Sequence, residues 1–360
     1  MNNIPIFDGH NDTLVDLILP EHAGQRSFFE ESAIGHIDLP RAKKGGLIGG
    51  FFAICTPPPE SSPERDPFYC FYFNEAGYDS KERRSLGYIY ANQFAFSVID
   101  YAHQLEKQSG GKVKIVTNYA ELNSCIEHDV LAMMLHIEGA EPIKDDLTDL
   151  EKFYQEGIRS LGLVWSRPNA FGQGVPYRYP HSPDIGQGLT TSGKKLVGAC
   201  NELGIIIDLA HIAEKGFWDV AELSKYPLVV SHAAVHALCP STRNITDRQI
   251  DAVGESGGVI GIWFEPVHIK YRTTSDGKPI EDVSLGEIVK HINYIANRIG
   301  VDHVALGSDF DGATMPKELR DAGYLPNLLK ALRDSGHDSR AIEKIAYKNW
   351  LRVIKETWGI

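Results

Sequence analysis

Short apolar, β-branched runs alternate along this chain with longer segments of helical period, and that alternation constrains the fold more than any other feature. Eight such runs occur, at 4–9, 47–55, 131–137, 158–164, 205–210, 228–231, 259–264 and 303–308. Within them hydrophobicity is nearly continuous, as a strand covered on both faces requires. Parallel strands joined by helices provide such cover. Two of the intervening segments carry helix signals at both ends. Thr190, Thr191 and Ser192 offer N-cap hydroxyls, Leu196, Val197, Cys200 and Leu203 follow at helical spacing, and Gly204 supplies a left-handed stop. The segment 284–300 repeats the plan, with Ser284 as cap, Ile288, Ile292 and Ile295 on one stripe, and Gly300 as stop. Eight βα units close into a barrel, so the expected class is α/β, a (β/α)8 TIM barrel filling residues 1–360 as a single domain. Surplus length lies in 56–87, 167–188 and 266–281, each directly after a strand, and is expected to rise over the C-terminal mouth.

Composition excludes several classes of function. Lys and Arg number 36 against 48 Asp and Glu, a net charge of −12, and no basic run exists to displace counterions from a phosphate backbone; no nucleic-acid partner is expected. The most apolar stretch, 45–55, is about half the ~20 residues a spanning helix needs, so no membrane association is expected either. The five cysteines, Cys55, Cys70, Cys125, Cys200 and Cys239, are odd in number and form no C-x-x-C pair, which fits neither a disulfide framework nor a zinc knuckle. With no export signal or lipid-anchor motif read at either end, the expected location is cytoplasmic.

Polar residues of metal-ligand type punctuate the strand ends. The first run closes Asp8-Gly9-His10-Asn11-Asp12, and on extended backbone side chains at i and i+2 point the same way, so His10 and Asp12 can converge. Glu138 leaves an apolar strand that should not tolerate an unpaired charge; a Lys, an Arg or a metal must face it. His136, two residues earlier, reads as a core histidine or a partner behind Glu138. Ile207-Asp208-Leu209-Ala210-His211, Ser231-His232 and Gly307-Ser308-Asp309-Phe310-Asp311-Gly312 close later strands. Each alone has a bland reading as a turn, a salt bridge or a structural histidine. Together they exceed one tetrahedral zinc. Two ions fit better, with His10 and Asp12 on one, His211 and His232 on the other, and Glu138 across both. Divalent cations ~3.5–4 Å apart can share a water, lower its pKa toward ~7 and polarise a carbonyl. Asp309 is then left as proton carrier and Asp311 as a loop cap. Arg243, in Ser241-Thr242-Arg243-Asn244, offers a charged fork for a substrate carboxylate or for a surface salt bridge.

These motifs, with Asn349-Trp350-Leu351-Arg352-Val353 near the C-terminus, together resemble the membrane (renal) dipeptidase family, peptidase family M19, in order and along nearly the whole chain. The resemblance implies a barrel of the metal-dependent amidohydrolase type holding two Zn2+ per chain and cleaving dipeptides, with a D-residue accepted at the C-terminal position. It implies the same roles: His10, Asp12, Glu138, His211 and His232 as ligands, a shared water as nucleophile, Asp309 as proton carrier and Arg243 as carboxylate clamp. Trp165 stands where animal members carry a substrate-contacting histidine; its indole can only donate one N–H, so it is expected to contact substrate without ligating metal. A homodimer is the family's expected assembly. The alternatives are another hydrolysis on the same metal pair, of an N-acyl amino acid or a lactone, and a non-catalytic metal or peptide sensor.

Overall fold

The computed structural model describes residues 4–19, 26–65 and 71–359. All eight apolar runs form strands: β1 (Ile6–Asn11), β2 (Leu47–Cys55), β3 (Leu131–Glu138), β4 (Ile158–Gly162), β5 (Ile206–Asp208), β6 (Val229–Ala233), β7 (Val259–Ile262) and β8 (Val304–Leu306). They pair in chain order and in parallel. The ends of the path meet through an Asn11–Phe310 bridge, where Asp12 N–H donates to the Phe310 carbonyl at 2.8 Å and Asp309 N–H to the His10 carbonyl at 3.0 Å. The result is a nearly closed (β/α)8 barrel. Every position of β3 is buried, as its unbroken Leu-Ala-Met-Met-Leu-His-Ile-Glu sequence requires of a strand packed on both faces.

The barrel floor is filled by Phe7, Phe51, Met134, Ile206, Val229 and Trp350. Trp350 comes from the helix Asn349–Trp358 and donates its indole N–H to the Leu306 carbonyl at 2.9 Å. Gly9 is needed there, because a Cβ at that position would run into the Trp350 ring. The expected helix after Thr190 is Thr191–Leu203, with the Thr190 hydroxyl accepting from Gly193 N–H at 3.0 Å and Gly204 ending it at φ +68°. Leu285–Ile299 also forms, but the Ser284 side chain makes no capping bond.

Two features escaped the strand pattern. Val113–Ile115 runs parallel to the first half of β3, where three residues are too few to show a period. Above the mouth, Phe71–Asn74, Gly77–Ser80 and Arg178–Tyr179 form an antiparallel sheet drawn from two of the three expected loops. The third loop joins them through Tyr271, whose hydroxyl donates to the carbonyls of Asn74 and Gly77 at 2.8 and 2.9 Å. Cys55, Cys125, Cys200 and Cys239 are free thiols, and Cys70 lies outside the described residues. No described helix is long and apolar enough to cross a membrane.

Candidate metal centre and substrate cavity

His10, Glu138 and His232 sit on β1, β3 and β6, whereas Asp12, His211 and Asp309 lie just beyond β1, β5 and β8. All six are buried. His10 and Asp12 do not converge through extended backbone, as their i, i+2 spacing suggests. Asp12 is not extended but sits at φ −102°, ψ 19°, as the N-cap residue of the helix Thr13–Ile18. Its Oδ2 nevertheless reaches to 3.4 Å from His10 Nε2. His211 and Asp309 have φ of +66° and +61°, a sterically costly conformation that turns both side chains inward.

Hydrogen-bond accounting fixes two imidazole tautomers. Ser231 has a single hydroxyl hydrogen, and the Asp208 carboxylate, which can only accept, lies 2.5 Å from it. The hydroxyl must therefore accept from His232 Nδ1–H at 2.8 Å, leaving a lone pair on Nε2. At His211 the Arg243 guanidinium, a pure donor, lies 3.2 Å from Nε2, so Nδ1 carries the hydrogen and gives it to Ser166 Oγ at 2.7 Å. The two Nε2 lone pairs face each other at 3.0 Å. Glu138 Oε1 stands 2.9 Å from His211 Nε2, 3.7 Å from His232 Nε2 and 3.5 Å from His10 Nε2. Neither ring nitrogen of His10 has a hydrogen-bond partner.

Electron-pair donors gathered this closely in a buried site repel unless protons or cations lie among them, and this set of imidazole nitrogens and carboxylate oxygens fits divalent metal. Burial pulls the His211 and His232 pKa values well below the ordinary range, with the Arg243 charge acting in the same direction, so both rings stay neutral as ligation demands. For Glu138, burial raises the pKa to about 8 against the pull of His10. Burial opposes the charge on His10, but Glu138, Asp12 and Asp309 outweigh it and lift the ring to about 10. Without a cation, protons occupy this part of the cluster. Asp208 also approaches His10 and His232, yet its oxygens are taken by the N–H groups of Ala210 and Ser231 and by the Ser231 hydroxyl, at 3.1, 2.7 and 2.5 Å.

Asp309 lies 3.9 Å from His10 Nε2, and burial, partly offset by His10, raises its pKa to about 7. Asp311 instead accepts from the Thr13 hydroxyl at 2.7 Å and pairs with Arg26 at 3.1 Å, tying the rim loops together. Arg243 is not on the surface. It is buried, stacks over Trp263 at 4.7 Å, and has no hydrogen-bond partner at Nε. The Trp165 ring lies 5.7 Å from that of His211, with the Arg83 and Arg167 guanidinium carbons 5.1 and 4.9 Å from its centroid. His136 is half satisfied, through Ser160 Oγ at 3.0 Å, with Nε2 3.6 Å from Asp208. Above the cluster opens a cavity of about 980 Å3, lined among others by Asp12, Asp309, Trp165, Tyr177, Glu265 and His268. Sequence reasoning did not single out Tyr177, Glu265, His268, Ser166 or the roles of Asp208 and Ser231; only Glu265, at the exit of β7, had a signal in its position.

A parallel barrel that gathers histidines and carboxylates at its C-terminal rim beneath a deep cavity is the scaffold of a metal-dependent hydrolase. The family model described as membrane dipeptidase (peptidase family M19) matches residues 1–359, and the chain belongs to that family of metallo-dipeptidases. A metallo peptidase from Rhodobacter sphaeroides, solved with a phosphinate mimic of the dipeptide L-Ala-D-Ala, is 39% identical, with a TM-score of 0.91 covering 99% of this chain and 100% of that one. The dipeptidase AC, an M19 metallo peptidase, is 40% identical, with a TM-score of 0.90 over the full length of both chains. Dipeptidase aclJ of Aspergillus oryzae is 28% identical over 360 residues, 98% of this chain and 78% of that protein.

Proposed function

We propose that residues 1–360 act as one catalytic unit, a dinuclear zinc dipeptidase that tolerates a D-residue at the C-terminal position of its substrate. The observation that carries this reading is Glu138 Oε1, which lies within 3.7 Å of Nε2 on His10, His211 and His232 and so stands where it can serve two ions at once. His10 and Asp12 would hold one ion, His211 and His232 the other. Bound there, such a pair would lower the pKa of a water and polarise the scissile carbonyl.

The remaining steps belong to the chain's own side chains. Arg243 holds the dipeptide carboxylate; its Nε–H is buried without a partner, while one NH2 faces His211 Nε2 and the His232 carbonyl. Asp309 takes the attacking water's proton on a carboxylate oxygen and returns it to the leaving nitrogen as the C–N bond breaks. Beside bound cations the carboxylate would stay ionised and ready to accept that proton. Trp165 closes the wall beside His211 and excludes water. The Rhodobacter neighbour's L-Ala-D-Ala mimic supports a dipeptide with a D-residue at its C-terminal end.

A cavity of about 980 Å3 is at the top of the ~300–1,000 Å3 range of small-molecule sites and favours one second reading, hydrolysis of an N-acyl amino acid. Zinc-loaded protein assayed on L,L-, L,D- and N-acylated substrates separates the two. Chelator-sensitive cleavage of dipeptides with a free amine is expected; preference for N-acylated substrates, or turnover indifferent to chelation, would overturn the proposal.

A further inference from the structure

One device occurs twice at the strand ends that carry the cluster. On β1, Asp8 Oδ1 accepts from Ser308 N–H at 2.7 Å and Oδ2 from the Ser308 hydroxyl at 2.7 Å. On β5, Asp208 Oδ1 accepts from Ser231 N–H at 2.7 Å and Oδ2 from the Ser231 hydroxyl at 2.5 Å. Each carboxylate thus clasps a serine across to the neighbouring strand or its exit, and all four residues are buried. Each serine immediately precedes a residue of the cluster, Asp309 in one case and His232 in the other.

The clasps differ in what lies behind the serine. Ser308 Oγ faces the His10 carbonyl at 3.1 Å, a group that only accepts. Ser231 Oγ faces His232 Nδ1, which can donate or accept according to tautomer. We infer that Asp208, acting through Ser231, is a positioning residue that selects the His232 tautomer with a free Nε2 lone pair, while the Asp8–Ser308 clasp sets strand spacing alone. The inference rests on the proposed metal centre for its consequence but not for its geometry.

The isosteric change Asp208→Asn has a defined expected outcome. The N–H groups of Ser231 and Ala210 both point at Oδ1, so the amide oxygen must stay there and its NH2 must replace Oδ2. The Ser231 hydroxyl then accepts from the amide, and its own hydrogen, deprived of the carboxylate, has its nearest remaining acceptor in His232 Nδ1. The ring answers by moving its proton to Nε2, and the lone pair facing Glu138 is lost. In Asp8→Asn the Ser308 hydroxyl turns to the His10 carbonyl instead, and the His232 tautomer is unaffected.

The test uses the full-length protein with 15N-labelled histidine. In metal-free wild type, NMR should report His232 protonated at Nδ1, whereas Asp208→Asn should report Nε2 and Asp8→Asn should leave Nδ1. Equilibrium dialysis against zinc should show Asp208→Asn weakening one of two ions by about 10–100-fold, the usual range for losing a group behind a ligand. If Asp208→Asn does not fold, Ser231→Ala, which deprives His232 Nδ1–H of its acceptor, should weaken the same ion, and Ser231→Thr should restore it. Retention of the Nδ1 tautomer in Asp208→Asn, or undiminished zinc affinity in Ser231→Ala, would overturn the inference. Failure of wild type to take up zinc would instead remove the dinuclear reading, leaving the tautomer measurement to decide the clasp.

Discussion

In the half of the centre carried by β5 and β6, both imidazoles have Nδ1 committed to a serine hydroxyl, Ser166 behind His211 and Ser231 behind His232. His10, in the half formed by β1 and β8, has no hydrogen bond at either ring nitrogen. It is placed by its strand and by packing, its ring 3.9 Å from that of His232 and edge-on to His136 at 5.6 Å. One half is thus oriented before any ion arrives, while the other leaves His10 without a hydrogen bond and keeps a proton that an ion must displace. The difference teaches that the fold concentrates its hydrogen bonds on the histidine pair and leaves the half beside Asp309, the proton carrier of the proposed mechanism, less constrained.

The comparison can be broken most severely at Asp309. Asp309→Asn should retain both metals yet lower kcat by about 10²–10⁴-fold, the range a positioned general acid–base contributes. Metal analysis alongside steady-state kinetics checks it, and loss of an ion would make Asp309 a ligand of its half. On the other side, Arg243→Lys keeps the charge but loses the fork; kcat/KM for dipeptides should fall about 10–100-fold, mostly through KM, as expected for a lost charged hydrogen bond of ~1.5–3 kcal/mol. An equal fall in kcat alone would assign Arg243 to the transition state. The smallest effect concerns pH. His10 and Glu138 share their charges, the Glu138 carboxylate favouring a proton on His10 and burial favouring one on Glu138, so the pair holds at neutrality a proton that a cation must displace. Zinc affinity should therefore rise with pH between 7 and 8, by about tenfold per unit for the proton released. Calorimetry in buffers of different ionisation enthalpy detects that proton, and the ion beside His10 should be the one whose affinity shifts more.

Strand ends were readable because an apolar run that stops at His, Asp or Glu is a local signal, and His10, Glu138 and His232 lie within the strands. The grounds for Asp12 were not, since a helix begins at Thr13 and its cap bends the chain out of the extended form. The clasps were invisible for another reason: Asp208 with Ser231 and Asp8 with Ser308 are partners across strands, 23 and 300 residues apart. The same holds for the cavity wall. Tyr177 lines it beneath a small sheet assembled from two separate loops, and no period within either loop announces the pairing of Gly77–Ser80 with Arg178–Tyr179. Burial of Arg243 against Trp263 depends on the loop after β6 folding over the exit of β7, a contact between elements that the sequence separates.

The most direct test of the central claim is anomalous diffraction at the zinc edge from crystals of the zinc-loaded protein. Two peaks are expected, one within ligating distance of His10 and Asp12 and the other of His211 and His232, with Glu138 touching both. A single peak, or ions bound away from Glu138, would contradict the account.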